Sequence, residues 1–317
     1  MVKIDINLMR NHLNKKEPLK FNFMKKLMLA LLLLLSCSLA NGQLLWRVSG
    51  NGCYESSYLF GTLHLESGEF IDSVPGLALA IESVDVIFGE LEGEDMVSMS
   101  TMMQMMKDAT APADSTLDKL LTAEDYELVD AVVKKHLYGF GLKELGVLKP
   151  VALTTYLGLM QTQKFYPNSL DPKNLIDVAI QQRGKQLGKR VEGLERVEDQ
   201  TQALFGAPLR EQAKELVDLC RKDDKFADSS RELCEAYRAQ DLVALEKIVF
   251  DPEVGMDDAS MDRMSYDRNR KWMEKIAGTI PVQRVLVAVG AAHLIGEQGL
   301  ISLLRSRGYT VEPVLTQ

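Results

Sequence analysis

Cysteine, histidine and tryptophan are scarce in this 317-residue sequence, with four, four and two copies respectively. No CxxC pair occurs, which argues against a thiol redox centre. Positive charge is not in excess. The 45 acidic and 37 basic residues leave a net charge of −8, the wrong sign for a chain that tracks nucleic-acid phosphates. Internal repeats and low-complexity linkers are also missing. With 46% hydrophobic and 26% charged residues, the composition is that of a globular protein long enough to bury a full core without staples. Beyond residue 40, no run approaches the ~18 consecutive apolar residues of a membrane span.

The one long apolar stretch is near the start. Lys25-Lys26 precede Leu27 to Leu35, and small residues from Ser36 to Ala40 follow. A basic segment, an apolar segment and a small-residue region make a signal peptide, so an exported protein is expected, periplasmic or secreted. Met24 directly precedes the two lysines and is the expected initiator. Residues 1–42 then read as an upstream extension plus signal peptide, with cleavage after Ala40-Asn41-Gly42. Leu34-Leu35-Ser36-Cys37 also resembles a lipobox, which leaves open a membrane anchor through a lipidated Cys37. Export permits disulfides. Cys220 and Cys234 lie on two helical stretches separated by Lys222-Asp223-Asp224-Lys225, and a hairpin of these would allow a bridge that sequence cannot test. Cys53 is then odd, a small buried residue.

The remainder, 43–317, reads as strands at both ends and helices between. Tyr58–His64 and Val84–Glu90 are β-prone, joined through an apolar helix around Pro75–Ser83. Arg284–Gly290 is almost continuously apolar, as expected of a strand buried on both faces. A helix over Gly296–Arg307, closed by Gly308, and a strand over Tyr309–Val314 complete a βαβ unit, which implies a parallel pair. In the middle, Thr122-Ala123-Glu124-Asp125 resembles a capping box ahead of Tyr126, Val129, Val133 and Leu137 at helical spacing. Pro150, Pro167 and Pro172 punctuate further helices. The expected fold is α/β: one domain with a mixed, largely parallel sheet formed from both ends of the chain, and a large helical insertion at about 95–280.

Three histidines lie beyond the leader, and two share a local form: Gly61-Thr62-Leu63-His64 and Gly290-Ala291-Ala292-His293. With glycine at about 7% of residues, a glycine three places before both has a chance well under one in a hundred. Each follows a strand, and glycine there lets the backbone turn or approach a ligand closely. Both imidazoles would stand at the carboxyl edge of the sheet, where open α/β folds place their sites. Glu90 ends the second strand just after Gly89 and could reach the same edge; Glu92 would follow by alternation. Two imidazoles with one or two carboxylates suit Mn, Co, Fe or Zn as Lewis acid or water activator. The plainer alternative is two hydrogen-bonded core histidines. A methionine cluster, Met96, Met99, Met102, Met103, Met105 and Met106, packs a core, lines a flexible substrate groove beside Glu90, or binds Cu(I).

Several strings together resemble the TraB/GumN family, to which the Tiki proteins belong. They are Leu45-Trp46-Arg47-Val48, Ser57 to His64, Val191-Glu192-Gly193-Leu194-Glu195, Asp267-Arg268-Asn269-Arg270-Lys271-Trp272, and Val287 to Leu294 with Gly308-Tyr309 behind. The resemblance runs in order over about 45–315. It implies a metal-dependent hydrolase, a peptidase being the closest analogue, with His64, Glu90 and His293 holding Mn, Co or Zn. Arg268 and Asn269 would join Glu90 as catalytic residues near the cleft, although Asp267 stands where many relatives have Glu. The expected partner is a peptide or protein substrate. Similarity to the erythromycin esterase and ChaN groups keeps a second reading open, a non-catalytic protein that binds haem or another ligand in the same cleft. Arg268 would stabilise developing charge on a substrate oxygen, or merely pair with Asp262 and Asp267 on a charged helix. Glu195 reads more as part of a solvated face than as a further acid. His136, near a helix end, complements the helix dipole.

Overall fold

The computed structural model describes residues 43–166 and 174–315. The expected leader, with Met24 and Cys37, lies outside the described residues, as do Pro167 and Pro172. The strands are β1 (Leu45–Ser49), β2 (Ser57–Thr62), β3 (Val86–Gly89), β4 (Arg190–Gly193), β5 (Val285–Gly290) and β6 (Thr310–Pro313). They form one mixed sheet in the order β4-β3-β5-β2-β1-β6. The pairs β2–β5, β5–β3 and β3–β4 are parallel; β1 is antiparallel to both β2 and β6.

Burial explains this order. Residues Val285–Val289 of β5 and all four of β3 are buried, and neither strand alternates in polarity, so both belong in the interior of the sheet. The half-exposed β4 and the alternating β6 take the two edges. The last two strands therefore do not make the hydrogen-bonded parallel pair expected of a βαβ unit. β2 occupies the flank of β5, in register from Tyr58↔Leu286 to Thr62↔Gly290, and β6 is displaced to the far side of β1. β4 also differs from expectation, because it adds a strand from the middle of the stretch read as helical.

The longer helices are α1 (Leu77–Ser83), α2 (Met99–Ala109), α3 (Ala123–His136), α4 (Pro150–Gln163), α5 (Ile176–Gln186) and α6 (Val197–Phe205). They continue with α7 (Leu209–Arg221), α8 (Asp223–Arg238), α9 (Leu242–Val249), α10 (Asp267–Thr279) and α11 (Leu300–Ser306). Local chemistry sets their ends. Thr122 Oγ1 accepts from the Asp125 N–H at 3.1 Å and caps α3. Pro150 opens α4 at the first turn, where its missing N–H costs nothing. Gly308, at φ +86°, supplies the left-handed turn after α11.

Two apolar clusters hold these elements. One joins the sheet to Leu77 and Ile81 of α1, Ile180 of α5, Ile276 of α10 and Leu304 of α11. The other packs α3, α4 and α7 through Val129, Val133, Leu153, Leu157 and Leu216. Each such side chain, fully buried, stabilises by ~1.5–3 kcal/mol. One close approach fixes the distance between α5 and the sheet. Gly184 of α5 lies so near β3 that an added Cβ would collide with Ile87 Cδ1. Glycine weakens a helix by ~1 kcal/mol, but here it seats α5 directly on the sheet.

Candidate metal centre

Because β2, β5, β3 and β4 run parallel, their carboxyl ends share one edge. Thr62 pairs with Gly290, and Gly89 with Gly193. The residues just past those ends therefore meet: His64 after β2, the turn Ala291–His293 after β5, Glu90 after β3 and Glu195 after β4. His64 Nε2 stands 3.9 Å from Glu90 Oε1, and His293 Nε2 stands 3.6 Å from the same oxygen. Ligand atoms of a tetrahedral centre with bonds near 2.1 Å are ~3.4 Å apart, and both of these distances are longer.

The backs of both rings are tied. His64 Nδ1 is 2.9 Å from Asp177 Oδ2, and His293 Nδ1 is 2.7 Å from Asn269 Oδ1. Rings donating from Nδ1 to these oxygens turn Nε2 toward Glu90, and a ring that is neutral in this pose presents its Nε2 lone pair, the arrangement typical of metal-ligating histidines. Gly290 supplies the space. Its φ of −49° suits any residue, yet an added Cβ would sit 3.2 Å from Glu90 Oε1, 3.7 Å from His293 Cδ2 and 3.8 Å from His64 Nε2. Gly61 has another purpose: its Cβ would fall 3.0 Å from Ala291 Cα, so it lets β2 approach the turn that carries His293.

Arg268 closes the group from α10. It is buried and donates to both Glu195 oxygens at 2.5 and 2.9 Å, to Glu90 Oε2 at 2.6 Å and to the Met264 carbonyl at 2.7 Å. Its Nη1 also lies 3.0 Å from His293 Nε2. That bond uses the lone pair a metal would need. Among the described residues, no three acidic, cysteine or histidine side chains already form a finished cage. His64, Glu90 and His293 stand at one edge, with Arg268 bonded to the His293 nitrogen that faces Glu90. A five-residue π-helical turn, Asp262–Tyr266, leads directly into α10; such turns recur at functional sites.

The charges are strongly perturbed. Burial would raise the Glu90 carboxyl, but His293, His64, the Arg268 guanidinium and the Gly290 N–H (2.8 Å from Oε1) outweigh it and hold it well below the carboxylate range. Burial pushes His293 down to about 3, so this ring is neutral at working pH. His64, half-exposed, is raised to about 9, chiefly by the Asp177 carboxylate. Burial raises Glu195, against the pull of Arg268.

Several expectations need correction. Glu195 is not on a solvated face; its side chain is 5% exposed and grips Arg268. Glu195 stands two places past Gly193, whereas Glu90 directly follows Gly89, so the spacing did not mark it. Glu92 leaves the site because β3 ends at Gly89, and it pairs with Lys185 at the surface. Asn269 does not face the space between the donors. It is fully buried behind His293, with its amide nitrogen bonded to the carbonyls of His293 and Gln298. Arg268 pairs with site carboxylates, while Asp262 and Asp267 are taken by Arg270 and Lys271. His136 binds Asp223 at 2.7 Å rather than only facing a helix end. Cys220 and Cys234 are buried and unbonded. Met99, Met102, Met103 and Met106 form an exposed face of α2, which packs against α6. Asp177 and Gln200, whose amide reaches Glu90 Oε2 at 3.2 Å, carry no sequence signal.

The profile of the TraB/PrgY/gumN family matches residues 44–313, from the start of β1 to the end of β6. The chain belongs to this family. It is similar to a Danio rerio protein named Metalloprotease TIKI2, at 22% identity over 318 aligned residues, covering 84% of this chain and 60% of that one. It is also similar to an Amphimedon queenslandica protein named Metalloprotease TIKI homolog, at 24% identity with the same coverage. The chain thus spans about three fifths of the length of these curated relatives. No solved structure matches it.

Proposed function

We propose that this family member is an exported metal-dependent hydrolase that acts on peptides, with His64, Glu90 and His293 as the metal-holding residues. The observation that carries this reading is the convergence of both Nε2 atoms on one Glu90 oxygen, each ring tied from behind. The names of the relatives support metal dependence and peptide substrates. Mn, Co and Zn suit two imidazoles and a carboxylate. When bound, such an ion would polarise a substrate carbonyl and acidify a water.

Glu90 offers Oε1 to the centre, while Arg268 and Gln200 hold Oε2 and fix the plane of the carboxylate. Asn269 keeps the His293 lone pair aimed forward. Arg268 gives up its bond to His293 Nε2 and keeps those to Glu90 and Glu195. The N–H thus released becomes available to a substrate oxygen that gains charge. Export of the chain rests on the Lys25-Lys26 and Leu27–Leu35 pattern.

A second reading is favoured by that same Arg268–His293 bond. If the bond persists, the His64 ring, kept protonated by Asp177, acts as general acid in a metal-free hydrolase. Metal analysis of the purified protein, with a peptide-cleavage screen in added Mn, Co, Zn or chelator, separates the two. One equivalent of metal and chelator-sensitive cleavage support the first reading. Cleavage unaffected by chelator from a metal-free protein overturns it in favour of the second, and no cleavage of any peptide removes both.

A further inference from the structure

The centre is backed by one helix that no motif announces. Asp177 lies in the first turn of α5, 6% exposed, and divides its carboxylate between two partners. Oδ1 accepts from Thr62 Oγ1 at 2.6 Å, and Oδ2 faces His64 Nδ1 at 2.9 Å. Gln181, four residues on and hence on the same helix face, is 2% exposed. Its Oε1 accepts from the Gly93 N–H at 2.6 Å, and its Nε2 donates to the Leu91 carbonyl at 3.0 Å. These bonds clasp the turn that follows Glu90. Gly89 is needed for it, since an added Cβ would collide with Gln181 Nε2.

We propose that α5 is the positioning helix of the centre: Asp177 orients the His64 ring and sets which nitrogen faces Glu90, while Gln181 holds the Glu90 turn. The consequence for metal binding rests on the hydrolase reading above; the orienting role does not. A carboxylate can only accept, so the neutral ring places its proton on Nδ1 and its lone pair on Nε2. Thr62, two residues before His64, anchors the same carboxylate and prevents it from turning away. The spacing of Gly61-Thr62-Leu63-His64 thereby gains a meaning for its second position.

Asp177→Asn is the informative change. The amide oxygen still accepts from Thr62, but an NH2 group now faces His64 Nδ1. That nitrogen must accept, and the ring proton moves to Nε2, toward the Glu90 oxygen. Histidine 15N shifts, followed upward in pH until the ring signals stop moving, read this directly. The expected result is a Nδ1–H ring in the wild type and a Nε2–H ring in the variant. Zinc affinity, measured by chelator competition, should fall 10–100-fold, as for other groups that orient a metal ligand. Thr62→Val should give a smaller fall with the Nδ1–H ring retained, and it serves if the Asn variant does not fold. An unchanged ring form together with zinc affinity within twofold of wild type overturns the proposal. If the wild type binds neither zinc nor cobalt, the metal reading fails, and the nitrogen shifts alone decide the role of Asp177.

Discussion

Glu90→Gln tests the centre most sharply when set beside Glu195→Gln. Both carboxylates are buried on Arg268, yet only Glu90 faces the two imidazoles. A glutamine at position 90 has one oxygen to serve two demands, the Gly290 N–H at 2.8 Å and the Arg268 Nη2 at 2.6 Å. Whichever it serves, its NH2 faces a donor, and one buried donor loses its partner at a cost of ~1–3 kcal/mol. Removing a charge from a buried pair costs ~3–5 kcal/mol when the partner is stranded, but Glu195 still holds Arg268. A loss of ~2–4 kcal/mol follows, and at ~2–4 °C per kcal/mol the melting temperature drops by about 4–16 °C. Glu195→Gln breaks the other half of the same network and should cost a similar amount. Metal binding separates them. On the proposed reading, Glu90→Gln removes the anionic member of the three metal-holding residues and should lower zinc affinity by at least ~100-fold, more than an orienting group typically accounts for. Glu195→Gln should stay within about tenfold. The assay is chelator competition alongside thermal melting. Equal zinc affinity in the two variants, with both destabilised, would leave Glu90 as a structural anchor and refute its place as a ligand.

Gly290→Ala introduces a methyl between Glu90 and the two rings without backbone strain; zinc affinity should fall at least ~10-fold with a melting shift of a few degrees at most, and unchanged affinity would show that the space is not used. Asp85 binds Arg284 through both oxygens, and this arginine holds its carboxyl below the usual range. A depressed carboxyl adds stability that is complete above the unfolded value near ~3.9 and disappears as pH falls through the folded value. Asp85→Asn should therefore flatten part of the acid loss in a melting series from about pH 6 to about pH 2, by less than ~1 kcal/mol because the pair is partly exposed. Burial pushes the Cys220 thiol up to about 12 and Cys234 to about 11. Both should resist alkylation at pH 8 in the folded protein and react only on denaturation, which thiol counting by mass spectrometry measures.

Residue pattern alone marked β2, β3 and β5 and the residues past their ends. The almost continuously apolar run at 284–290 marked an interior strand, because a strand covered on both faces has no polar alternation to lose, and 84–90 read as a second strand. The matched glycine–histidine spacing marked two strand ends, and a parallel sheet necessarily brings such ends to one edge. Position in the sheet was another matter. Alternation distinguishes a buried strand from an exposed one but does not name its neighbour. Long-range packing therefore had to place β2 beside β5, send β6 to the far edge and add β4. The same limit held within the site. The meeting of His64, Glu90 and His293 at one edge was legible because each lies within three residues of a strand end. Asp177, Gln181 and Gln200 were not legible as parts of it, because a lone polar residue on a helix reads as surface until packing closes over it; nor was the burial of Glu195, which lies among charged neighbours just past β4. Whether Arg268 faces solvent acids or site acids depended on α10 lying across the carboxyl edge, a choice made by the burial of Trp272, Met273 and Ile276 on the same helix.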